Sequence, residues 1–139
     1  MSTRGYIGRL NEDGTVDAIY NHFDSYYDGL GEDLINFFDT KEKVDKLIKR
    51  GHGPNVTDEK GYKDNDEAYS HFDTEKDFEN FIDEDVFIEY GYIFKDGKWF
   101  GKNHLCGKQW VSEDDEEKEK HFWEFTPVET ILEEIKTKK

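Results

Sequence analysis

Val86-Phe87-Ile88-Glu89-Tyr90-Gly91-Tyr92-Ile93-Phe94 runs through Lys95-Asp96-Gly97-Lys98 into Trp99-Phe100. β-Branched and aromatic residues dominate this run, and they suit a pleated, half-buried surface. Asp-Gly between two such runs signals a hairpin, because its tight turn needs positive φ. The same device opens the chain. Tyr6-Ile7-Gly8-Arg9-Leu10 and Thr15-Val16-Asp17-Ala18-Ile19-Tyr20-Asn21-His22-Phe23 flank Asn11-Glu12-Asp13-Gly14. Two hairpins therefore frame the fold.

Around them the apolar spacing becomes helical. Glu32 to Phe38 puts Leu34, Ile35 and Phe38 on one face. Thr40 is the expected N-cap of a helix through Arg50, with Val44, Leu47 and Ile48 inward and Gly51 and Gly53-Pro54 ending it. A third helix is expected after Asp73 or Thr74, with Phe78, Phe81 and Ile82 as its stripe. Thr126-Pro127-Val128-Glu129 reads as a capping box with Pro at the first helical position. It opens a last helix with stripe Ile131, Leu132 and Ile135. Trp110-Val111 and His121-Phe122-Trp123-Glu124-Phe125 are expected as short strands, and the polar stretches 51–68 and 112–120 as loops. Strict β-α-β alternation is missing, so a parallel sheet is not indicated. The expectation is one α+β domain over residues 1–139. It has an antiparallel sheet built from two β-hairpins, with three to four helices packed mainly on one face.

Hydrophobic residues make up only 34% of the 139 residues, but eleven Phe, eight Tyr and three Trp are among them. A disordered acidic chain would be poor in aromatics. Each buried aromatic removes about 150–250 Å² from water, so a core of few, large side chains is feasible.

Thirty-four acidic residues against 19 basic ones leave a net charge of −15. Residues 51–100 carry fourteen of the acids and only five of the cations. Such a chain disfavours direct nucleic-acid binding, which needs Lys and Arg on the phosphates. It also disfavours anionic membranes, and it attracts basic surfaces. The charge serves solubility, binds cations, or imitates the phosphate backbone of DNA. The lone Cys106 can form no internal disulfide, and Met1-Ser2-Thr3-Arg4-Gly5-Tyr6 is no apolar signal segment. Cytoplasm is the expected compartment.

Tyr20-Asn21-His22-Phe23-Asp24-Ser25 is echoed by Tyr69-Ser70-His71-Phe72-Asp73-Thr74. Each copy precedes a turn or helix start, where Asp and Ser/Thr are expected as caps. Paired function is the alternative: two histidines and two carboxylates suit a divalent metal or acid–base work. Two His-x-Ser/Thr motifs would indicate a two-histidine phosphoesterase, but here the spacing is one residue longer. Walker A, Gly-x-Gly-x-x-Gly, His-Glu-x-x-His and paired-Cys motifs are absent, so no cofactor and no metal is indicated. Asp64-Asn65-Asp66-Glu67 lacks EF-hand spacing. Cys106 beside His104 reads as a small loop residue rather than a nucleophile. Thr3 and Arg4 are a candidate anion contact.

Three segments together resemble a family of small proteins common in tailed-phage genomes. Thr3-Arg4-Gly5-Tyr6-Ile7-Gly8 is similar to its Thr-Arg-x-x-Ile-Gly opening. Ile19-Tyr20-Asn21-His22-Phe23-Asp24-Ser25-Tyr26, with Gly29 and Gly31, is similar to its Tyr-Cys-His-Trp-Asp-Gly-Tyr signature. Glu89-Tyr90-Gly91-Tyr92-Ile93-Phe94-Lys95-Asp96-Gly97-Lys98-Trp99 resembles its Glu-Tyr-x-Tyr-Leu-Phe-x-x-Gly-x-Trp hairpin. Asn21, Phe23 and Ser25 depart from the usual Cys, Trp and Gly, so no thiol chemistry is available at position 21. The resemblance implies a phage or prophage origin and an accessory role. Small accessory phage proteins often antagonise host defence, so an anti-CRISPR or anti-restriction role is favoured by that association alone.

The leading expectation is a non-catalytic inhibitor of a basic, nucleic-acid-handling host protein. It would act as a DNA mimic through Asp58, Glu59, Asp64, Asp66, Glu67, Asp73, Glu75, Asp77, Asp83, Glu84 and Asp85. The first alternative is a nucleotide-binding or phosphoester-handling protein that uses Thr3, Arg4, His22, Asp24 and His71. The second is a structural phage component.

Overall fold

The structure, a computed structural model, describes residues 3–53, 56, 69–84, 88–103 and 124–137. Outside the described residues lie Trp110-Val111, residues 104–106 and 121–123, the 112–120 stretch and nearly all of 54–68.

Both hairpins form. β1 (Gly5–Leu10) and β2 (Val16–Asn21) pair antiparallel, with Ile7 opposite Ile19. Their turn closes through Asn11 N–H to Thr15 O at 2.8 Å and Gly14 N–H to Asn11 O at 3.0 Å. β3 (Ser70–Phe72) pairs antiparallel with the outer side of β2. β4 (Tyr90–Lys95) and β5 (Lys98–Asn103) are the second hairpin. Its turn places Asp96 at φ 52° and Gly97 at φ 76°, the double positive φ that a two-residue turn of the right twist requires. β6 (Thr126–Pro127) flanks β5.

The strand order is β3-β2-β1-β4-β5-β6. The α+β class and the hairpins are as expected, but β1 and β4 run parallel, so the sheet is mixed. A parallel join needs a long crossover. The chain between β2 and β4 supplies one, with its helices and β3. The expected capping box also gives way. Thr126 and Pro127 pair with Gly101 and Phe100, and the Thr126 hydroxyl donates to Glu124 O at 3.0 Å. Pro127 has no N–H to give a ladder, which suits the outermost of the described strands.

Four helices stand among the described residues. A π-helical turn at Tyr27–Gly31 leads into α1 (Glu32–Phe37). α2 (Lys41–Arg50) is capped by Thr40, whose Oγ1 accepts from Lys43 N–H at 3.3 Å, and it ends at Gly51 with φ 88°. α3 (Glu75–Glu84) is capped by Thr74, whose Oγ1 accepts from Asp77 N–H at 3.0 Å. α4 (Val128–Thr137) closes the described chain.

Three of the four helices cover one face. Leu34, Val44, Leu47, Ile48, Val128, Ile131 and Leu132 pack there on Ile7, Ile19, Tyr92 and Trp99. Among the described helices only α3 covers the other face, through Phe78 and Ile82 against Val16, Ala18 and Ile93. It lies so close that a Cβ on Gly8 would stand 2.8 Å from the Phe78 ring, and one on Gly91 would overlap Ile82. Lys102, 1% exposed, reaches from β5 to Asp83 at 2.8 Å and Glu79 at 3.3 Å on α3. Two buried phenols fix the chain after β2. Tyr92 donates to Ser25 O and Tyr27 to Asn103 Oδ1, each at 2.6 Å. Burial pushes both phenol pKa values far up, so they remain neutral donors.

Candidate functional site

The residues of the alternative ligand site divide between two ends of the sheet. Thr3 and Ser25 are tied by Ser25 N–H to Thr3 O at 3.1 Å, and Arg4 O accepts from Glu89 and Tyr90 N–H. His22 follows the last residue of β2, and its Nδ1 lies 2.6 Å from Tyr20 Oη. Asp24 takes φ 58° in the turn beyond, where its Oδ1 accepts from Tyr26 Oη at 3.2 Å. Thr3, Arg4, His22 and Asp24 thus gather where β1 begins and β2 ends. His71 does not join them. Its register partner on β2 is Asp17, five residues before His22, or about 16 Å along an extended strand. The two His-Phe-Asp echoes do not meet; one leads into the Asp24 turn and the other into the Thr74 cap.

Of the eleven carboxylates expected to meet a partner, Asp58, Glu59, Asp64, Asp66, Glu67 and Asp85 lie outside the described residues. The other five lie on α3 and the turn before it. Asp73, Asp77 and Glu84 are exposed. Glu75 and Asp83 are bonded to Lys95 and Lys102 of the sheet. Their charge is partly spent on holding α3 in place.

His71 belongs to a different constellation. Asp17 on β2 receives His71 Nδ1 at 2.6 Å, Arg9 Nη2 at 2.9 Å and Asn11 Nδ2 at 3.1 Å. Arg9 also donates to Asp45 on α2 at 2.9 Å and to Asn11 Oδ1 at 3.0 Å. Burial alone would raise the Asp17 pKa, but His71, Asn11 and Arg9 together hold it below the usual carboxylate value. The hydrogen bond to Asp17, aided by the charges of Asp17, Asp73 and Asp13, raises the pKa of His71. An ionised Asp17 makes Nδ1 the protonated nitrogen, which leaves Nε2 outward. Arg9, Asp17 and His71 help to line a cleft of about 870 Å³ between the β1–β2 turn, the β4–β5 turn and the start of α2. Leu10 and Phe94 give it apolar wall, and Tyr69, half exposed, stands at its edge.

The sequence singled out only His71 from this set. A signal for the rest was present. Arg9 and Asp17 sit on the strand face that carries Ile7 and Ile19, where apolar residues are expected. The hairpin register makes them direct cross-strand neighbours of opposite charge. Asp45 had no such signal, because its contact depends on how α2 crosses the sheet. Among the described residues no group of three or more His, Cys, Asp or Glu side chains is arranged to hold a metal, and no helix is long and apolar enough to cross a membrane.

Neither protein-family models, nor curated proteins, nor solved structures give any match to this chain.

Proposed function

We propose that this chain is an accessory protein of phage or prophage origin. It binds and inhibits a basic, nucleic-acid-handling protein of the host by presenting carboxylates where that protein expects phosphates. The observation that carries this reading is the net charge of −15 on a folded α+β domain. Self-repulsion of that size works against compaction. A chain that keeps it despite this cost is suited to a basic surface. The outward carboxylates Asp73, Asp77 and Glu84 support the reading, because they stand on α3 and the turn before it, and the inner acids and apolar stripe of α3 fix it to the sheet.

The test is capture from host lysate on immobilised protein, at low and at high salt. Captured protein is then challenged with labelled duplex DNA. The expected result is a partner that binds DNA, elutes with salt, and loses its DNA when this chain is added. A captured partner that holds DNA and this chain together would reject mimicry.

A further inference from the structure

The cleft beside His71 carries a more specific inference. Three cations and six carboxylates line it, so its net charge is −3 with His71 neutral and −2 with His71 protonated. Two of the three cations, Arg9 and Lys95, are committed, and the third is Lys41 at the start of α2. All three guanidinium nitrogens of Arg9 are bonded inside the cleft, and Lys95 is bonded to Glu75. The cleft therefore already holds one guanidinium between Asp17, Asp45 and Asn11. The surplus negative charge stands outside that set, on Glu12 and Asp13 of the first turn and Asp96 of the second. Tyr69 adds a half-exposed ring, and a cation over a tyrosine face gains further attraction. A phosphate or carboxylate ligand would be repelled here, and a divalent metal finds no suitable donor group among the described residues. A lysine or arginine head with an aliphatic stem fits the wall of Leu10 and Phe94.

We propose that this cleft seats a lysine or arginine side chain of the basic partner, and that protonation of His71 weakens the seating. This rests on the reading that the partner is basic, and it moves the central contact from α3 to the cleft. The imidazole is the one group here that changes charge near neutral pH. It faces Asp17 on β2, Asp13 in the first turn and Asp73 after β3, with Arg9 on β1 behind Asp17. Asp17 and Asp13 are held below the usual carboxylate value, so the cleft loses one unit of negative charge as pH falls through the range in which His71 titrates. One unit charge some 8 Å away in a water-rich cleft changes affinity about threefold.

The probe is an oligo-arginine peptide, titrated at low salt into ¹⁵N-labelled protein at about pH 6 and about pH 8, the span over which histidine changes charge. The expected result is saturable shifts of the backbone amides of residues 9–17, 69–71 and 95–97. Affinity should be about threefold weaker at the lower pH. His71→Gln should keep the fold, because the side chain is half exposed, and it should abolish the pH difference. Shifts confined to α3 would overturn the cleft proposal and leave the basic-partner reading standing. Retention of the pH difference in His71→Gln would overturn the role of His71. Absence of saturable binding would overturn both.

Discussion

At the scale of single residues, the chain puts two histidines in opposite environments. His71 is half in solvent and bonded to a carboxylate, which raises its pKa above 6.5. His52 accepts the Tyr20 N–H at 2.8 Å, and burial lowers its pKa. A histidine ¹H–¹³C titration should show His71 with its midpoint above 6.5 and His52 with its midpoint below. Asp17→Asn should bring the His71 midpoint back towards 6.5; an unmoved midpoint would show that the pair does not form. The sign for stability follows from linkage. The raised pKa of His71 gives stability that is fully present below pH 6.5 and lost as pH rises through the folded value. The depressed pKa of Asp17 gives stability that is present above 3.8 and lost as pH falls through its folded value. Denaturation midpoints followed against pH should therefore peak between about pH 4 and pH 6.5, and Asp17→Asn should flatten that peak. Little of this was legible beforehand. The sequence marked His71 through its likeness to the His22 segment, a likeness of turn chemistry. What places His71 is strand register, and register depends on pairing between distant segments.

At the scale of elements, most of the fold was legible, because local chemistry decided it. Thr40 and Thr74 sit one residue before an amphipathic helix, and both accept the expected amide hydrogen bond. Thr40→Ala should cost about 1 kcal/mol in urea denaturation. What was not legible is how elements lie on one another. The parallel meeting of β1 and β4 leaves no mark in either hairpin, since a strand alternates in the same way whichever neighbour it takes. The seating of α3 was equally hidden, although glycines at 8 and 91 make it possible. A methyl group at 91 would enter the space of Ile82. Gly91→Ala should therefore cost about 1–3 kcal/mol. Ile82→Val in the same chain should recover part of it, as a double-mutant cycle would reveal. Additive losses would mean that α3 stands off the sheet. Lys102→Met probes the same junction from β5. It keeps the buried stem but takes the ammonium from Asp83 and leaves Glu79 with Lys76 alone, and should cost about 2 kcal/mol, less than a fully buried pair because Asp83 is partly in water.

At the scale of the whole molecule, salt acts on two properties with opposite signs. A net charge of −15 on 139 residues makes the folded chain repel itself. The unfolded chain, being expanded, repels itself less. Added salt shortens the Debye length from about 10 Å at 0.1 M to a few Å at 1 M, so it relieves the folded state more. The midpoint of thermal unfolding should therefore rise between about 0.05 and 0.5 M NaCl, by about 3 °C for each kcal/mol recovered in a chain of this size. Binding to a basic partner should weaken over the same range, because the attraction that speeds encounter is screened. The opposed signs make the two readings independent. A protein that grows more heat-stable while it releases its partner has not lost the partner by unfolding. Charge reversal then separates general attraction from a particular surface. Asp73→Lys with Asp77→Lys and Glu84→Lys changes the net charge by six units on one exposed face. If α3 carries the contact, association should slow by an order of magnitude or more, as for electrostatically steered pairs, with dissociation less affected. If the cleft carries it, the same variant should slow association only modestly, and Asp13→Lys with Asp96→Lys should have the larger effect. Association rates of the two variants against one partner, measured at two salt concentrations, decide which face it meets.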